Sequence, residues 1–256
     1  MAPMRILTIM DYSPQDANAI LMCRVWLERI IACGRRDVEV LVLYNENRPN
    51  FVDAYRERID IAIEQRPRLK KLGPHADYFL TFKLPAIANT PAPFIYIDAD
   101  AYPLVSLEPL WSIRNDKPWI ATIAQRVQSN PDTLGAPFVS AGVQIVSDSS
   151  FYSFDRIHEA FKADGYRLRY PGLDQAALTV FAQANGYDYT HPGFGTEWNS
   201  YAGISELKLE DGVWRGTTRG LAQNHPVYIH HYWCEKPWVT GCPMHQYFIE
   251  HLARLS

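Results

Sequence analysis

Two aspartates one residue apart, Asp98 and Asp100, directly follow the apolar run Phe94–Ile97 and precede Tyr102-Pro103. Sixteen aspartates in 256 residues give about one such D-x-D by chance, so the pair draws its meaning from context. A continuous apolar run suits a central parallel strand covered on both faces. Carboxylates at its carboxyl end lie where open α/β sheets place their ligands. Two such carboxylates repel each other unless a cation sits between them, and a divalent metal there could also take phosphate oxygens. The plainer alternative is a solvated turn at the strand's tip. A second constellation is Ile229–Trp238, IHHYWCEKPW. If it begins as a strand, His230 and His231 point to opposite faces, and one of them reaches the ligand edge. Lys236 precedes Pro237, which keeps its backbone extended. A lysine held this way is a fixed point charge for phosphate, or else a surface residue at a turn. Two carboxylates plus an imidazole form a mostly oxygen donor set, suited to Mn2+, with Mg2+ as the alternative, rather than to thiophilic metals.

Elements far apart in the chain must bring these residues together. Arg5–Met10 reads as a first buried strand. Residues 17–33 carry Ile20, Leu21, Val25, Trp26, Ile30 and Ile31 near helical spacing, with Gly34 as a stop signal. Val38–Leu43 is a second strand, and this β-α-β opening favours a parallel sheet with a right-handed crossover. Residues 52–64 are expected to form another helix, closed near Pro67. Trp119–Ala124 and Gly142–Val146 read as strands, Ser150–Ala163 and Asp174–Gln183 as helices, and Tyr228–His231 as a late short strand. The stretch from Gly186 to Gly220 reads as loops and short strands over the site. Met244, Tyr247, Phe248, His251, Leu252 and Leu255 predict a closing helix with one apolar face. No repeat or linker interrupts the chain, so one α/β domain over residues 1–256 is expected, with a mainly parallel central sheet flanked by helices.

Composition narrows the function classes. Hydrophobic residues make up 47% and charged residues 21%, the net charge is −3 and the pI is about 6.2. These values are ordinary for a globular protein and provide no general attraction to nucleic acid or anionic lipid. A chain of this size buries roughly 70–75% of its unfolded surface and needs no disulfide to fold. Cys23, Cys33, Cys234 and Cys242 form no C-x-x-C pair, which points to free thiols in a reducing compartment. The opening apolar run is too short for a signal peptide, and no transmembrane segment of about 18–20 apolar residues occurs. A cytoplasmic location follows as the expectation, with any membrane work done peripherally at the surface. Arg56, Arg58, Arg66, Arg68, Lys70 and Lys71 lie close together. A solvated helical face accounts for them, the alternative being a dock for anionic lipid, glycan or nucleic acid.

The chain resembles the family-8 glycosyltransferases, the glycogenin-like and lipopolysaccharide-galactosyltransferase-like enzymes of the GT-A fold. Four matches fall in the family's order between residues 83 and 238. Lys83 lies upstream of the strand ending in Asp98 and Asp100. Ser140-Ala141-Gly142-Val143 resembles the family's Asn-[Ala/Ser]-Gly-Val. Asp174-Gln175 resembles its Asp-Gln helix start, and His230 through Lys236-Pro237-Trp238 resembles H-x-x-G-x-x-K-P-W.

The resemblance implies a retaining transfer of a hexosyl group from a nucleotide-sugar, typically a UDP-sugar, to a hydroxyl acceptor. A Rossmann-like nucleotide-binding part would cover about 1–105, with the acceptor side and site closure over about 106–256. Asp98, Asp100 and His230 would hold Mn2+, with His231 in reserve as third ligand. Asp98 would also approach the donor ribose. Lys83 would contact the donor sugar or diphosphate and Lys236 the diphosphate, while Asp174 and Gln175 would flank the anomeric carbon. Ser140 would face the donor sugar, and Tyr12 is the expected nucleotide-stacking aromatic. Two positions depart from the family: Trp233 replaces a glycine and Ser140 an asparagine. The acceptor stays open: a glycan, a lipid-linked sugar, another hydroxyl compound, or a modified DNA base. Trp198, Tyr201, Trp214 and Trp233 lie in the late region where acceptor contacts would fall, although most such aromatics are core residues.

Two rivals come from other classes. A haloacid-dehalogenase-type phosphohydrolase would use Asp98 as nucleophile and Asp100 as general acid/base. Its motif usually opens the domain, whereas two strands precede it here, and a late paired-acid motif for Mg2+ is hard to find after Asp174. A non-catalytic nucleotide-sugar-binding protein of the same fold would account for Trp233 and Ser140.

Overall fold

A computed structural model describes residues 2–34, 36–123, 138–167, 172–201, 204–218 and 222–232. Strand β1 (Met4–Ile9) leads through helix α1 (Ala17–Cys33) to strand β2 (Val38–Tyr44). The Asp16 side chain accepts a hydrogen bond from the Ala19 N–H at 2.9 Å and so caps α1. Gly34 ends it: a β-carbon there would come within 2.7 Å of the Ile30 carbonyl, which the Gly34 N–H itself engages.

The expected helix over residues 52–64 does not form. Asn50–Tyr55 makes a short 3-10 turn, and Asp60–Gln65 is a strand, β3, paired in parallel with β2. The sequence DIAIEQ explains the difference: its β-branched residues recur every second position, and Ile61 is buried while Asp60 and Ala62 are exposed. A π-helical turn (Phe79–Lys83) runs into α2 (Leu84–Ala88) and then β4 (Phe94–Ile97), all four residues of which are buried. After the D-x-D turn come β5 (Ala101–Pro103), α3 (Glu108–Ser112), β6 (Trp119–Ile123) and β7 (Val139–Val146). Helices α4 (Phe154–Ala163) and α5 (Leu173–Ala184) follow. Then come a 3-10 turn (Thr196–Asn199) and strands β8 (Ser200–Tyr201), β9 (Ile204–Glu210), β10 (Val213–Thr218), β11 (Ala222–Pro226) and β12 (Ile229–His231). The expected closing helix, together with Trp233, Cys234, Lys236 and Cys242, lies outside the described residues.

The main sheet has six strands in the order β3-β2-β1-β4-β7-β6. The first four run parallel, β7 runs antiparallel to β4, and β6 antiparallel to β7. The expected α/β fold with a mixed, mainly parallel sheet is therefore present. Helix α1 covers one face, with Trp26 and Ile30 on Ile6, Val40 and Ile95. Helices α2, α4 and α5 cover the other, with Phe161, Leu178 and Phe181 in a core with Leu7, Tyr96 and Trp119. Strand order reverses at β1, whose neighbours are β2 on one side and β4 on the other. The carboxyl ends of β1 and β4 thus flank the crevice where such sheets bind ligands. A second sheet, β5-β12-β8, stands at that end and carries His231 opposite Ala101 and Tyr201.

The basic segment is largely spent on internal partners. Arg56 pairs with Asp53, Arg58 with Glu28 and Arg66 with Glu64, while Arg68 donates to Thr81 and to the Ala76 carbonyl. No helix among the described residues is long and apolar enough to cross a membrane.

Candidate active site

The D-x-D turn is fixed by its backbone. The Asp98 N–H donates to the Gly142 carbonyl at 2.8 Å, the Ala101 N–H to the Asp98 carbonyl at 2.9 Å, and the Tyr232 N–H to the Asp100 carbonyl at 2.8 Å. Ala99 turns into the core. Asp98 and Asp100 line a cleft of about 460 Å³ together with Tyr12, Lys83, Asp174, Gln175 and His231.

His231 is the histidine that meets the aspartates. Its Nε2 lies 3.2 Å from Asp100 Oδ1 and 3.6 Å from Asp98 Oδ2. One donor atom from each of these three side chains falls within 4.8 Å of the others. His230, expected as third ligand, points the other way because successive residues of β12 alternate faces. Its ring meets Tyr232 edge-on with centroids 4.5 Å apart, and its Nδ1 has no hydrogen-bond partner among the described residues. Burial, with a contribution from His231, pushes the His230 imidazole down to about 3, so it stays neutral.

The donor set suits an oxygen-preferring divalent cation: two carboxylates and one imidazole nitrogen that faces them. Behind it stands a buried chain of hydrogen bonds. His231 Nδ1 lies 3.0 Å from Asn199 Oδ1, and Asn199 Nδ2 donates to Ser140 Oγ at 2.6 Å and to Thr122 Oγ1 at 3.4 Å. Ser140 is fully buried in this chain and does not line the cleft, because its strand turns the hydroxyl toward Asn199. It is placed behind the metal-type cluster. Gly142 gives the imidazole its space: a β-carbon there would lie 2.5 Å from His231 Nδ1 and 3.2 Å from Asn199 Oδ1. Gly142→Ala should therefore force the ring aside. The expected result is a loss of roughly 1–3 kcal/mol of stability from overpacking and at least about tenfold weaker binding of a divalent cation, read by thermal unfolding and by calorimetric titration with divalent cations.

Lys83 meets Asp98 directly. Its ammonium lies 2.9 Å and 3.0 Å from the two Asp98 oxygens and 3.2 Å from Asp174 Oδ2. Burial works against its charge, but Asp98 and Asp174 outweigh it and hold the amine above its ordinary value. It therefore stays charged throughout neutral pH. Tyr96, two residues before Asp98 on the same face of β4, donates its hydroxyl to Asp98 Oδ1. Burial first and the Asp98 charge second keep that phenol far above its usual range, so it remains a donor. At the start of α5, Asp174 Oδ1 accepts the Gln175 N–H at 2.9 Å. Gln175 Oε1 is buried and accepts no hydrogen bond among the described residues. Tyr12 stands on the cleft wall, 38% exposed. Asp11 next to it accepts the Glu46 and Asn47 N–H groups at 2.9 Å and 2.8 Å, tying the loop after β2 to the end of β1.

No family model matches the sequence, and no curated protein matches it. Solved structures do. The glycosyltransferase GlyE of Streptococcus pneumoniae TIGR4 superposes with a TM-score of 0.61 at 12% identity, over 98% of this chain and 60% of its own. Mouse xyloside xylosyltransferase 1 gives 0.61 at 16% identity, over 93% of this chain and 100% of its own. The bifunctional glycosyltransferase WbbM gives 0.61 at 14% identity, over 98% of this chain and 50% of its own. The chain has the fold of GT-A glycosyltransferases. It spans little more than half the length of GlyE and half that of WbbM, and the whole of the mouse protein's matched chain.

Of the residues singled out in the sequence, this GT-A framework brings Asp98, Asp100, Lys83, Asp174, Gln175 and Tyr12 into one cleft. Lys236 lies outside the described residues. Trp198 packs on Tyr228 with ring centroids 4.8 Å apart, and Trp214 lies partly buried against the core. Tyr96, Gly142 and Asn199 were not singled out for these contacts. Tyr96 could have been found from its two-residue spacing to Asp98 on a strand, whereas nothing in the sequence around Asn199 marks it.

Proposed function

We propose that this chain is a retaining glycosyltransferase that moves a sugar from a nucleotide-sugar, a UDP-sugar by expectation, to a hydroxyl group of a glycan or lipid-linked acceptor. Mn2+ would be held by Asp98, Asp100 and His231. One observation carries this more than any other. A strand-end carboxylate pair and a histidine from late in the chain converge at the switch point of a GT-A sheet, lining one cleft with Lys83, Asp174 and Gln175.

The bond between the anomeric carbon and the diphosphate oxygen breaks while the acceptor hydroxyl oxygen bonds to that carbon. The diphosphate leaves with the electron pair and takes the hydroxyl proton, and the transition state carries negative charge on phosphate and positive charge on the sugar. When bound, the divalent metal supplies the positive charge that a departing diphosphate requires. Lys83 and Tyr96 fix Asp98 on one wall, and the same ammonium fixes Asp174 on the other. Such preorganisation means that little must reorient as charge develops. Gln175, on the cleft wall, would flank the electron-poor anomeric carbon. Lys236 keeps its proposed place at the diphosphate. Gln175→Ala should lower kcat about a hundredfold with KM little changed, as expected for an interaction made mainly in the transition state; steady-state kinetics on the identified donor check this.

The function itself is tested by a donor screen. The protein is incubated with Mn2+ and UDP-, GDP- and dTDP-sugars, and released nucleoside diphosphate is measured. Release from one UDP-sugar, with an anomeric configuration in the product equal to that of the donor, is the expected result. Tight UDP–Mn2+ binding without release from any donor would favour a non-catalytic binding protein instead. Rapid hydrolysis of an aryl phosphate would favour the phosphohydrolase.

A further inference from the structure

We infer that Asn199 is a positioning residue that makes His231 a metal ligand, by fixing which ring nitrogen carries the proton. This rests on the metal-site assignment proposed above. An imidazole between two carboxylates has an easier option than ligation: with its proton on Nε2 it would donate to Asp98 or Asp100, and its lone pair would face away from the cleft. Ligation needs the opposite tautomer, with the proton on Nδ1 and the Nε2 lone pair toward Asp98 and Asp100.

Asn199 selects that tautomer through its own neighbours. Its amide is 1% exposed, and its Nδ2 has two hydroxyl oxygens to donate to, Ser140 Oγ at 2.6 Å and Thr122 Oγ1 at 3.4 Å. With the NH2 group spent there, Oδ1 is what faces His231 Nδ1 at 3.0 Å, and a carbonyl oxygen can only accept. With the amide in this orientation, the His231 Nδ1 bears the hydrogen. Gly142 closes the ring from the side, since any β-carbon at that position would occupy the space of Cε1 and Nδ1. Orientation and tautomer are thus set by residues from three places in the chain: Thr122 on β6, Ser140 and Gly142 on β7, and Asn199 on the 3-10 turn.

Mn2+ affinity is measured by calorimetry and by the electron paramagnetic resonance signal of free Mn2+, without any sugar nucleotide. The His231 tautomer is read from imidazole nitrogen-15 chemical shifts of the metal-free protein. Asn199→Leu should weaken Mn2+ binding about 10–100-fold and shift His231 toward the Nε2–H form. Asn199→Asp, which keeps an acceptor for Nδ1–H while the two hydroxyls rotate to donate, should bind Mn2+ within a few-fold of the parent. Ser140→Ala, a milder change that leaves Asn199 in place, should weaken binding by less than Asn199→Leu and enrich the Nε2–H form, and it serves if the leucine variant does not fold. Asp100→Asn is the control for the metal site itself. If the parent binds Mn2+, Asp100→Asn abolishes binding, and the folded Asn199 and Ser140 variants keep parental affinity and tautomer, the positioning role is overturned while the metal site stands. If neither parent nor Asp100→Asn binds Mn2+, the metal site falls and the ligand role of His231 falls with it.

Discussion

Asp100→Asn is expected to lower nucleotide-sugar turnover by about a thousandfold or more, equivalent to about 4 kcal/mol of transition-state stabilisation, with the fold intact. Asparagine matches aspartate in size, and the backbone carbonyl at position 100 accepts the Tyr232 N–H at 2.8 Å. That bond survives the substitution, and so does the turn. What disappears is one of the two anionic ligands proposed for the metal. A site left with one carboxylate and one imidazole binds a hard divalent cation far more weakly, because affinity in such sites follows ligand charge. Turnover, Mn2+ titration and thermal unfolding should be measured together. Wild-type turnover in a normally folded variant would remove Asp100 from the metal site.

Lys83→Met should produce the largest loss of stability at the site, roughly 3–5 kcal/mol, as expected when one partner of a buried ion pair is removed. The lysine side chain is 9% exposed, and its partners Asp98 and Asp174 are 17% and 6% exposed, so solvent screens the pair little. Methionine keeps an apolar stem but removes the ammonium, which also lies 5.5 Å from the Tyr96 ring centroid, and leaves buried Asp174 and half-buried Asp98 without their cation. The pH dependence has a definite sign. The Lys83 amine is held above its ordinary value, so its contribution is complete below the unfolded-state lysine value of about 10.4. It is lost only as pH rises through the higher folded value. Between pH 6 and 9 (roughly, well under that range) the parent's lysine contribution should be flat. Chemical denaturation of parent and variant across this range reads that flat contribution. Mn2+ at about 100 times its Kd should also return about 2.7 kcal/mol by mass action wherever the metal site survives. A variant as stable as the parent would mean that the Asp98–Lys83–Asp174 bridge contributes nothing to folding.

The bridge also links the two halves of the cleft. Asp98 ends β4 and Asp174 opens α5, and one ammonium touches both. A π-helical turn delivers Lys83 to this position, and such turns recur at functional sites because they re-aim side chains that a regular helix would place elsewhere.

The sequence was most informative where chemistry and periodicity are local. The β-α-β opening, the apolar strand ending in Asp98 and Asp100, the helix opening at Asp174 and the late strand carrying two histidines are all properties of short windows. Strand-period and helix-period patterns make them legible. Residues 52–64 misled because apolar residues at Val52, Tyr55, Ile59 and Ile63 also fit helical spacing, and pairing with β2 decided in favour of a strand for the second part.

By itself, then, the sequence determined that two carboxylates would end a central strand and that a histidine pair would follow late. Which histidine meets them was decided by tertiary structure. The pleat puts His230 and His231 on opposite faces, and only the antiparallel register with β5, His231 opposite Ala101, says which face is the cleft. The roles of Asn199, Ser140 and Gly142 are of the same kind. Hydrogen bonds and steric gaps across strands depend on residues distant in the chain, and no local pattern records them. Lys83 is the clearest case: as a residue type it is a phosphate-binding candidate, and only its burial between Asp98 and Asp174 makes it the cation that holds the site together.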